Sequence, residues 1–278
     1  MDCQIKKQNI DEILFYLKKE KVYSIYCLWV LENFPSNQFN LYYIIDKKLN
    51  FGMVISNFTK KKFLFLAGKE SLVQKIINTI NLPKKNYLLT ASPRYLPLIK
   101  KKFIIKEYNH QYRMAVTNET FHEFKNKSDY VIKKMTTSDI NAMHEFYLHA
   151  NQEINFDQQL TEQGAFYGAF IENKLIGCAG THFIDKIYEH AEIGNIYTDK
   201  NYRGQGIASA LTSLVTKCLI NKKITKISLS VNIDNKIACR IYKKLGYQIV
   251  AKNIEGIIVK KNILDISEHL YKYIRIKK

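Results

Sequence analysis

The stretch Asn201-Tyr202-Arg203-Gly204-Gln205-Gly206-Ile207-Ala208-Ser209-Ala210-Leu211 decides the fold of the second half of this chain. It follows a segment, residues 189–198, that reads as a strand, and it opens a run whose apolar spacing predicts a helix to about Asn221. Two glycines permit a tight turn, and the first N–H groups of a helix lack partners within it. Such a turn suits a pyrophosphate, although a short glycine motif can also merely separate a strand from a helix.

A second segment downstream agrees with the first. Residues 226–231 alternate as a buried strand, and Asn232 opens a stretch that predicts a capped helix ending at Gly246. A strand followed by a helix thus occurs twice in succession, and the two motifs together are far more specific than the glycine turn alone.

The two segments together resemble the GNAT superfamily of N-acetyltransferases. That family carries an R/Q-x-x-G-x-G/A turn after its fourth strand and an N-x-x-A-x-x-x-Y-x-x-x-G-F/Y segment further on. The resemblance covers roughly Tyr130 to Lys261, and residues 192–211 are most similar to the branch that includes glycine N-acyltransferase-like proteins. The turn departs slightly from the pattern, because glycine stands at its second and fourth places. The matching residues are Arg203, Gly204, Gln205, Gly206, Ile207, Ala208, Asn235, Ala238, Tyr242, Gly246 and Tyr247.

The resemblance implies an α/β (α+β) GNAT fold, in which helices flank a mixed, mostly antiparallel twisted sheet. It also implies acetyl-CoA or another acyl-CoA as cosubstrate, entering where the fourth and fifth strands of this domain splay apart. The pyrophosphate would lie on the glycine turn, and the pantetheine arm would follow the preceding strand. The cofactor-binding residues implied are Ile196, Tyr197, Thr198, Arg203, Gly204, Gln205, Gly206, Ile207, Ala208, Asn232, Asn235, Ala238 and Tyr242.

Tyr242 stands where the resemblance implies a tyrosine near the CoA sulfur. A phenol, with a pKa of about 10, stays protonated at neutral pH and could protonate the leaving thiol. Its residue type and helical spacing alone would also suit a core aromatic beside Ile241 and Leu245. Asn232 is equally compatible with a helix-start residue.

Glu192, in Ala191-Glu192-Ile193-Gly194, is the candidate general base, because the resemblance places a glutamate on this strand near the acceptor amine. An ammonium group must lose a proton before it can attack a thioester. The alternative is a solvated strand carboxylate. His182 and His190 have no partner at metal-ligand spacing, so we predict that both are surface side chains and that no metal is bound.

The polar stretch from Asn118 to Asp129 interrupts the hydrophobic periodicity, and we place a domain boundary there. The predicted domains are residues 1–125 and the catalytic residues 126–278. The order of strands and helices predicted for the first domain resembles a GNAT core without the glycine turn. We therefore expect that domain to be an α/β unit. On fold analogy alone, we also expect it to be a degenerate copy of the GNAT fold.

Composition limits the other partners. The formal net charge is +18, but the excess is lysine and forms no single dense stripe, so we do not expect nucleic-acid binding. No apolar run approaches the roughly 20 residues that span a bilayer, and the N-terminus lacks a secretory pattern. Five cysteines without a CxxC pair suit reduced core residues, so we expect a cytoplasmic protein without membrane contact. A homodimer is compatible with the sequence.

The function expected from the resemblance is acyl transfer from acyl-CoA to a primary amine of a small molecule or amino acid, by direct attack in a ternary complex. The alternative is a non-catalytic CoA-binding sensor or regulatory module. A third hypothesis, a basic nucleic-acid-associated protein, predicts polynucleotide binding that weakens steeply with salt.

Overall fold

The computed structural model describes residues 5–7, 9–19, 27, 30–31, 35–57, 62–125, 130–150, 161–162 and 164–261. The strands described there are β1 Lys6–Lys7, β2 Phe39–Ile45, β3 Phe51–Asn57, β4 Phe63–Gly68, β5 Asn86–Ala91, β6 Phe103–Val116, β7 Val131–Lys134, β8 Phe166–Ile171, β9 Lys174–Asp185, β10 His190–Thr198, β11 Lys226–Asn232 and β12 Gln248–Lys260. The α-helices are α1 Ile10–Lys19, α2 Glu70–Thr79, α3 Leu96–Lys102, α4 Ile140–His149, α5 Ile207–Asn221 and α6 Lys236–Lys244.

The chain divides into two compact units. Unit 1 comprises Met1–Gln111 and Ala251–Lys278, and unit 2 comprises Tyr112–Val250. The sequence placed the boundary near residue 125 instead. The difference arises because Met114 and Val116 lie in the core of unit 2, whereas Ile254 and Ile258 lie in the core of unit 1. Each division falls inside a single strand, β6 or β12, and not in a loop, so turn and linker signals in the sequence do not mark it.

Within unit 1 the strand order is β1-β2-β3-β4-β5-β12-β6. The β4–β5 pair is parallel, and β2–β3, β3–β4 and β5–β12 are antiparallel. Helix α2 packs on β2, β3 and β4 and buries Leu72, Val73, Ile76 and Ile77. The spacing of Leu72, Ile76, Ile77 and Ile80 in the sequence predicts this helix, and Ile80 follows its last residue. The sequence missed α3, whose start is marked by Pro97 within its first two positions. The apolar spacing between Asn9 and Asn33 predicts two helices, of which α1 is the first and the second lies largely outside the described residues.

Within unit 2 the strand order is β6-β11-β10-β9-β8-β7. Strands β10 and β11 are parallel neighbours, and the pairs β7–β8, β8–β9 and β9–β10 are antiparallel. Helix α5 packs on β8, β9 and β10 and buries Ile207, Leu211, Val215 and Leu219. Ala208 and Cys218, predicted on the same face, are half-buried at its edge. This packing fixes the start of α5 beside the end of β10.

In the part of the chain that the structure describes, no helix combines the length and apolar character needed to cross a membrane.

Candidate functional site

A cleft opens between β10 and α6 in unit 2. The parallel pairing of β10 with β11 covers only residues 190–192 and 226–228, so the later parts of the two strands are free to separate. The cleft has a volume of about 630 Å³. Its lining consists of Ile196, Tyr197, Thr198, Tyr202, Arg203, Gly204, Gly206, Ile207, Ala208, Ser209, Asn235, Ile237, Ala238, Ile241 and Tyr242. Apart from Gln205 and Asn232, every residue predicted to contact the cosubstrate lies on this surface.

The floor of the cleft is the turn into α5, and its glycines are required for backbone reasons. Gly204 and Gly206 have φ of +84° and +78°, a region that other residues seldom adopt. A Cβ on Gly204 would meet no heavy atom within 4 Å, so this position faces open space. A Cβ on Gly206 would lie 3.1 Å from Cζ of Phe124.

The first backbone bond of α5 runs from the N–H of Ala210 to the oxygen of Gly206, at 2.9 Å. The N–H groups of Ile207, Ala208 and Ser209 therefore have no partner within the helix, and Gly206 supplies no side-chain cap. Unpaired N–H groups at the positive end of a helix bind phosphate oxygens. Open space above Gly204 and donors without helix partners fit a pyrophosphate.

The β10 wall of the cleft carries a second feature that suits a bound ligand. Oγ1 of Thr198 is buried and has no hydrogen-bond partner among the described residues. The Arg203 Nε group donates to the Thr198 carbonyl at 3.3 Å, and the guanidinium lies 5.8 Å from the centre of the Tyr197 ring. The strand end and the glycine turn are thereby held together.

The opposite wall is α6. Asn235 caps this helix, since its Oδ1 accepts from the N–H of Ala238 at 3.0 Å. Oδ1 of Asn232 accepts from the N–H of Asp234 at 2.8 Å, which supports the alternative that Asn232 starts the turn into the helix. Its predicted contact with the cosubstrate remains a prediction.

Tyr242 lies on α6, 7% exposed, with part of its surface on the cleft. Burial raises the pKa of its phenol, and nearby Cys239 adds to the effect. The hydroxyl therefore stays protonated across the physiological range. A buried, protonated phenol on the cleft wall can donate a proton or a hydrogen bond to a ligand atom.

Glu192 does not line the cleft; it forms an ion pair with Arg113 of β6. Nη2 of Arg113 bonds to Oε2, and Nη1 lies 3.2 Å from Oε1 and 2.9 Å from Oγ of Ser230. The two side chains are only 5% and 11% exposed. The sequence is compatible with Glu192 as a general base or as a solvated carboxylate, and neither interpretation includes a buried ion pair. The pair links β6, β11 and β10.

Replacing Glu192 with Gln should lower the free energy of unfolding by about 3–5 kcal/mol, because the Arg113 charge would remain buried without a counter-ion. Urea unfolding measures this change. The matched control is Glu123→Gln, which removes the partner of Lys217 from a surface pair with side chains 44% and 47% exposed. Such pairs contribute about 0–1 kcal/mol. Equal losses in the two variants would contradict the assignment of Glu192 to a structural ion pair.

His190 also differs from the sequence expectation of a surface side chain, because it is 3% exposed. Its Nε2 lies 2.9 Å from Oγ of Ser228. Burial lowers its pKa to about 3, and the charges of Arg113 and Lys226 act in the same direction. The folded chain therefore keeps this imidazole neutral where an unfolded chain, with an ordinary pKa near 6.5, takes up a proton.

This difference predicts that the free energy of unfolding falls as the pH drops below about 6.5, and continues to fall towards pH 3. The unfolded state binds one more proton there, so His190 contributes a slope of about 1.4 kcal/mol per pH unit. In His190→Gln that part of the slope should vanish. Urea unfolding at pH 4.5, 5.5 and 7.5 measures it, and an unchanged slope in the variant would contradict the prediction.

Among the described residues, the structure brings no group of three or more His, Cys, Asp or Glu side chains together for a metal ion. Several residues of the cleft were not predicted from the sequence. The cleft lining also includes Tyr202, Ser209, Ile237 and Ile241. Each of them is next in the chain to a residue that was predicted, and this adjacency is the signal that could have identified them. Phe124, whose ring adjoins Gly206, belongs to the polar stretch in which the sequence places the domain boundary. Its N–H donates to Oγ of Ser213 at 2.9 Å, which fixes this stretch on α5.

Known proteins agree with this geometry. Residues 132–247 match the family described as Acetyltransferase (GNAT) family. Streptothricin acetyltransferase of Escherichia coli is 29% identical over 93 residues, which cover 34% of this chain and 52% of that protein. An uncharacterized N-acetyltransferase of Methanocaldococcus jannaschii is 26% identical over 140 residues, covering 43% and 61%. The chain thus spans only about half to three fifths of these relatives.

Solved structures show the fold. A Drosophila protein superimposes with a TM-score of 0.68 at 11% identity, covering 92% of this chain and 98% of its own. The GCN5-related N-acetyltransferase of Sphaerobacter thermophilus gives 0.59 at 13% identity, covering 93% and 97%. The predicted GNAT fold is confirmed, whereas similarity to the glycine N-acyltransferase-like branch stays a prediction. Residues 132–247 are thus similar in sequence to the GNAT acetyltransferases, over less than half of the chain.

Proposed function

We propose that the chain moves an acetyl or other acyl group from acyl-CoA to a primary amine of a small molecule or amino acid, by direct attack in a ternary complex. The observation that carries this proposal is a single cleft that joins the N–H groups of the glycine turn to the protonated hydroxyl of Tyr242. Acyl-CoA supplies an acyl group activated as a thioester. The chain's own residues would bind the acyl-CoA and would donate and accept the protons that the reaction transfers.

The residues from Arg203 to Ala208 would hold the pyrophosphate, and Ile196, Tyr197 and Thr198 would flank the pantetheine arm. A backbone N–H of this strand end would stabilise the oxygen of the thioester carbonyl as negative charge develops on it. The amine nitrogen forms a bond to the carbonyl carbon, and the carbon–sulfur bond breaks. Tyr242 would give its proton to the departing sulfur, and a base would remove the proton lost by the amine.

Glu192 of β10 is the base proposed for this step, because the resemblance implies a glutamate on this strand, although the side chain does not line the cleft. Its ion pair with Arg113 favours the second candidate, a non-catalytic CoA-binding module, since both carboxylate oxygens already have a partner. The double variant Arg113→Met with Glu192→Met separates a catalytic from a structural role, because a hydrophobic pair can replace a buried ion pair with little loss of stability. A folded but inactive double variant would support the base.

The proposal is tested by calorimetric titration with acetyl-CoA, followed by assay of thiol release with a panel of primary amines and with longer acyl chains. Saturable binding with amine-dependent thiol release would support the transferase. Binding without release from any amine would favour the sensor. Failure to bind acetyl-CoA or longer acyl-CoA would contradict both. A salt titration with polynucleotide tests the nucleic-acid hypothesis separately.

A further inference from the structure

A bulge interrupts β10 where it begins to line the cleft. Gly194 pairs with Gly180 and Tyr197 pairs with Cys178, so Asn195 and Ile196 lie opposite a single residue of β9. Asn195 has a φ of +53°, a left-handed conformation that asparagine adopts more readily than most residues with a side chain. Bulges in β-strands are over-represented next to active sites, where they redirect the groups that follow them. Two side chains contact the bulge in β10.

Tyr147 of α4 holds the backbone of the bulge. Its hydroxyl donates to the carbonyl oxygen of Asn195, and the side chain is 1% exposed. Burial raises the pKa of this phenol well above its usual value, and Cys178 adds to the effect, so the hydroxyl remains a donor. The aromatic ring also lies near Tyr197 of the cleft, with ring centres 6.4 Å apart.

His182 of β9 holds the side chain of the bulge. Its Nε2 lies 2.8 Å from Oδ1 of Asn195, and because an amide oxygen only accepts, Nε2 carries the proton. The imidazole lies against Gly194, where an added Cβ would come within 2.3 Å of its Cε1 atom. Glycine at position 194 is therefore what admits the ring.

The position of the Asn195 carbonyl fixes the direction of the next N–H. In a trans peptide the carbonyl and the N–H point to opposite sides, so the Ile196 N–H points away from Tyr147. Ile196 itself lines the cleft. The geometry points to Tyr147 and His182 as positioning residues that aim the Ile196 N–H at the thioester oxygen, an inference that rests on the proposed acyl-CoA function.

The test uses the infrared carbonyl band of [1-¹³C]acetyl-CoA, since hydrogen bonding to the oxygen moves this band to lower frequency and no acceptor amine is needed. The unsubstituted chain should show the shift. In Tyr147→Phe, which removes only the hydroxyl, the band should return towards that of free acetyl-CoA. Affinity for S-ethyl-CoA, which lacks the carbonyl oxygen, should stay the same. Thiol release, once an acceptor is known, should fall by about 10–100-fold through misalignment.

Two controls separate positioning from general damage. Tyr87→Phe removes another buried hydroxyl that donates to a backbone carbonyl, the oxygen of Pro83, at 3.0 Å, and it should leave the band unchanged. At position 182, His182→Ala should reduce the shift, whereas His182→Gln keeps a donor of similar reach and should restore it. The histidine pair decides the question if Tyr147→Phe fails to fold.

Four results carry the decision. Loss of the shift in Tyr147→Phe or His182→Ala, with S-ethyl-CoA affinity intact, supports the inference. Two results overturn the inference and leave the proposed function standing. The band of the wild type does not move on binding, or it moves by the same amount in the wild type, in Tyr147→Phe and in His182→Ala. A wild-type chain that binds no acetyl-CoA contradicts the proposed function itself.

Discussion

Replacing Tyr242 with Phe should lower the rate of thiol release by about 10²–10⁴-fold, the range for losing a positioned general acid. Donor affinity should change little, because the variant keeps the ring that forms part of the cleft wall. The rate at saturating acetyl-CoA and the calorimetric affinity measure the two effects independently. If only the rate falls, the hydroxyl stabilises the transition state and does not contribute to the binding of acetyl-CoA.

Tyr247→Phe is the matched control. Its hydroxyl is also buried but is bonded to Oγ1 of Thr216 at 2.7 Å, and its ring centre lies 6.0 Å from that of Tyr242. Removing this hydroxyl tests whether any deletion beside the cleft slows the reaction. Equal losses in the two variants would contradict a general-acid role. Because the pKa of Tyr242 is raised above its usual value of about 10, ionisation of this hydroxyl should not lower the rate at any pH below about 10.

The parts of the site that the sequence predicted well are local in the chain. The glycine turn and the start of α5 are set by positive φ values at Gly204 and Gly206 and by helix geometry, which short-range spacing encodes. The face of α6 that carries Asn235, Ala238 and Tyr242 likewise follows from helical periodicity within one segment. A pattern of a dozen residues suffices to predict such features.

The parts that it missed depend on contacts between distant segments. Arg113 and Glu192 are 79 positions apart, and Tyr147 and Asn195 are 48 apart. Each pair forms because strand order and register bring the residues together, and neither is visible in the periodicity of one segment. Alternation along β10 could show that Glu192 leaves one face of the strand, but not that a guanidinium lies there.

The glycine turn supports the second large effect, on donor affinity. Gly204→Asp should weaken acetyl-CoA binding by about 100-fold, because a carboxylate placed near a bound pyrophosphate is repelled by a few kcal/mol before solvent screening. Gly204→Asn has nearly the same shape without the charge, and both residues tolerate positive φ better than most. The asparagine variant should therefore bind far more tightly than the aspartate variant.

Ionic strength makes this comparison specific. If charge repulsion is the cause, the gap in acetyl-CoA affinity between Gly204→Asp and Gly204→Asn should narrow as salt rises, because counter-ions screen exposed charges. Calorimetric titration at low and high salt measures the gap, and thermal unfolding checks that both variants fold. Equal weakening at every salt concentration would indicate a backbone or steric effect at Gly204. Unaltered affinity in both variants would mean that the pyrophosphate binds elsewhere, since a Cβ at position 204 points into the open space where the ligand is proposed to lie.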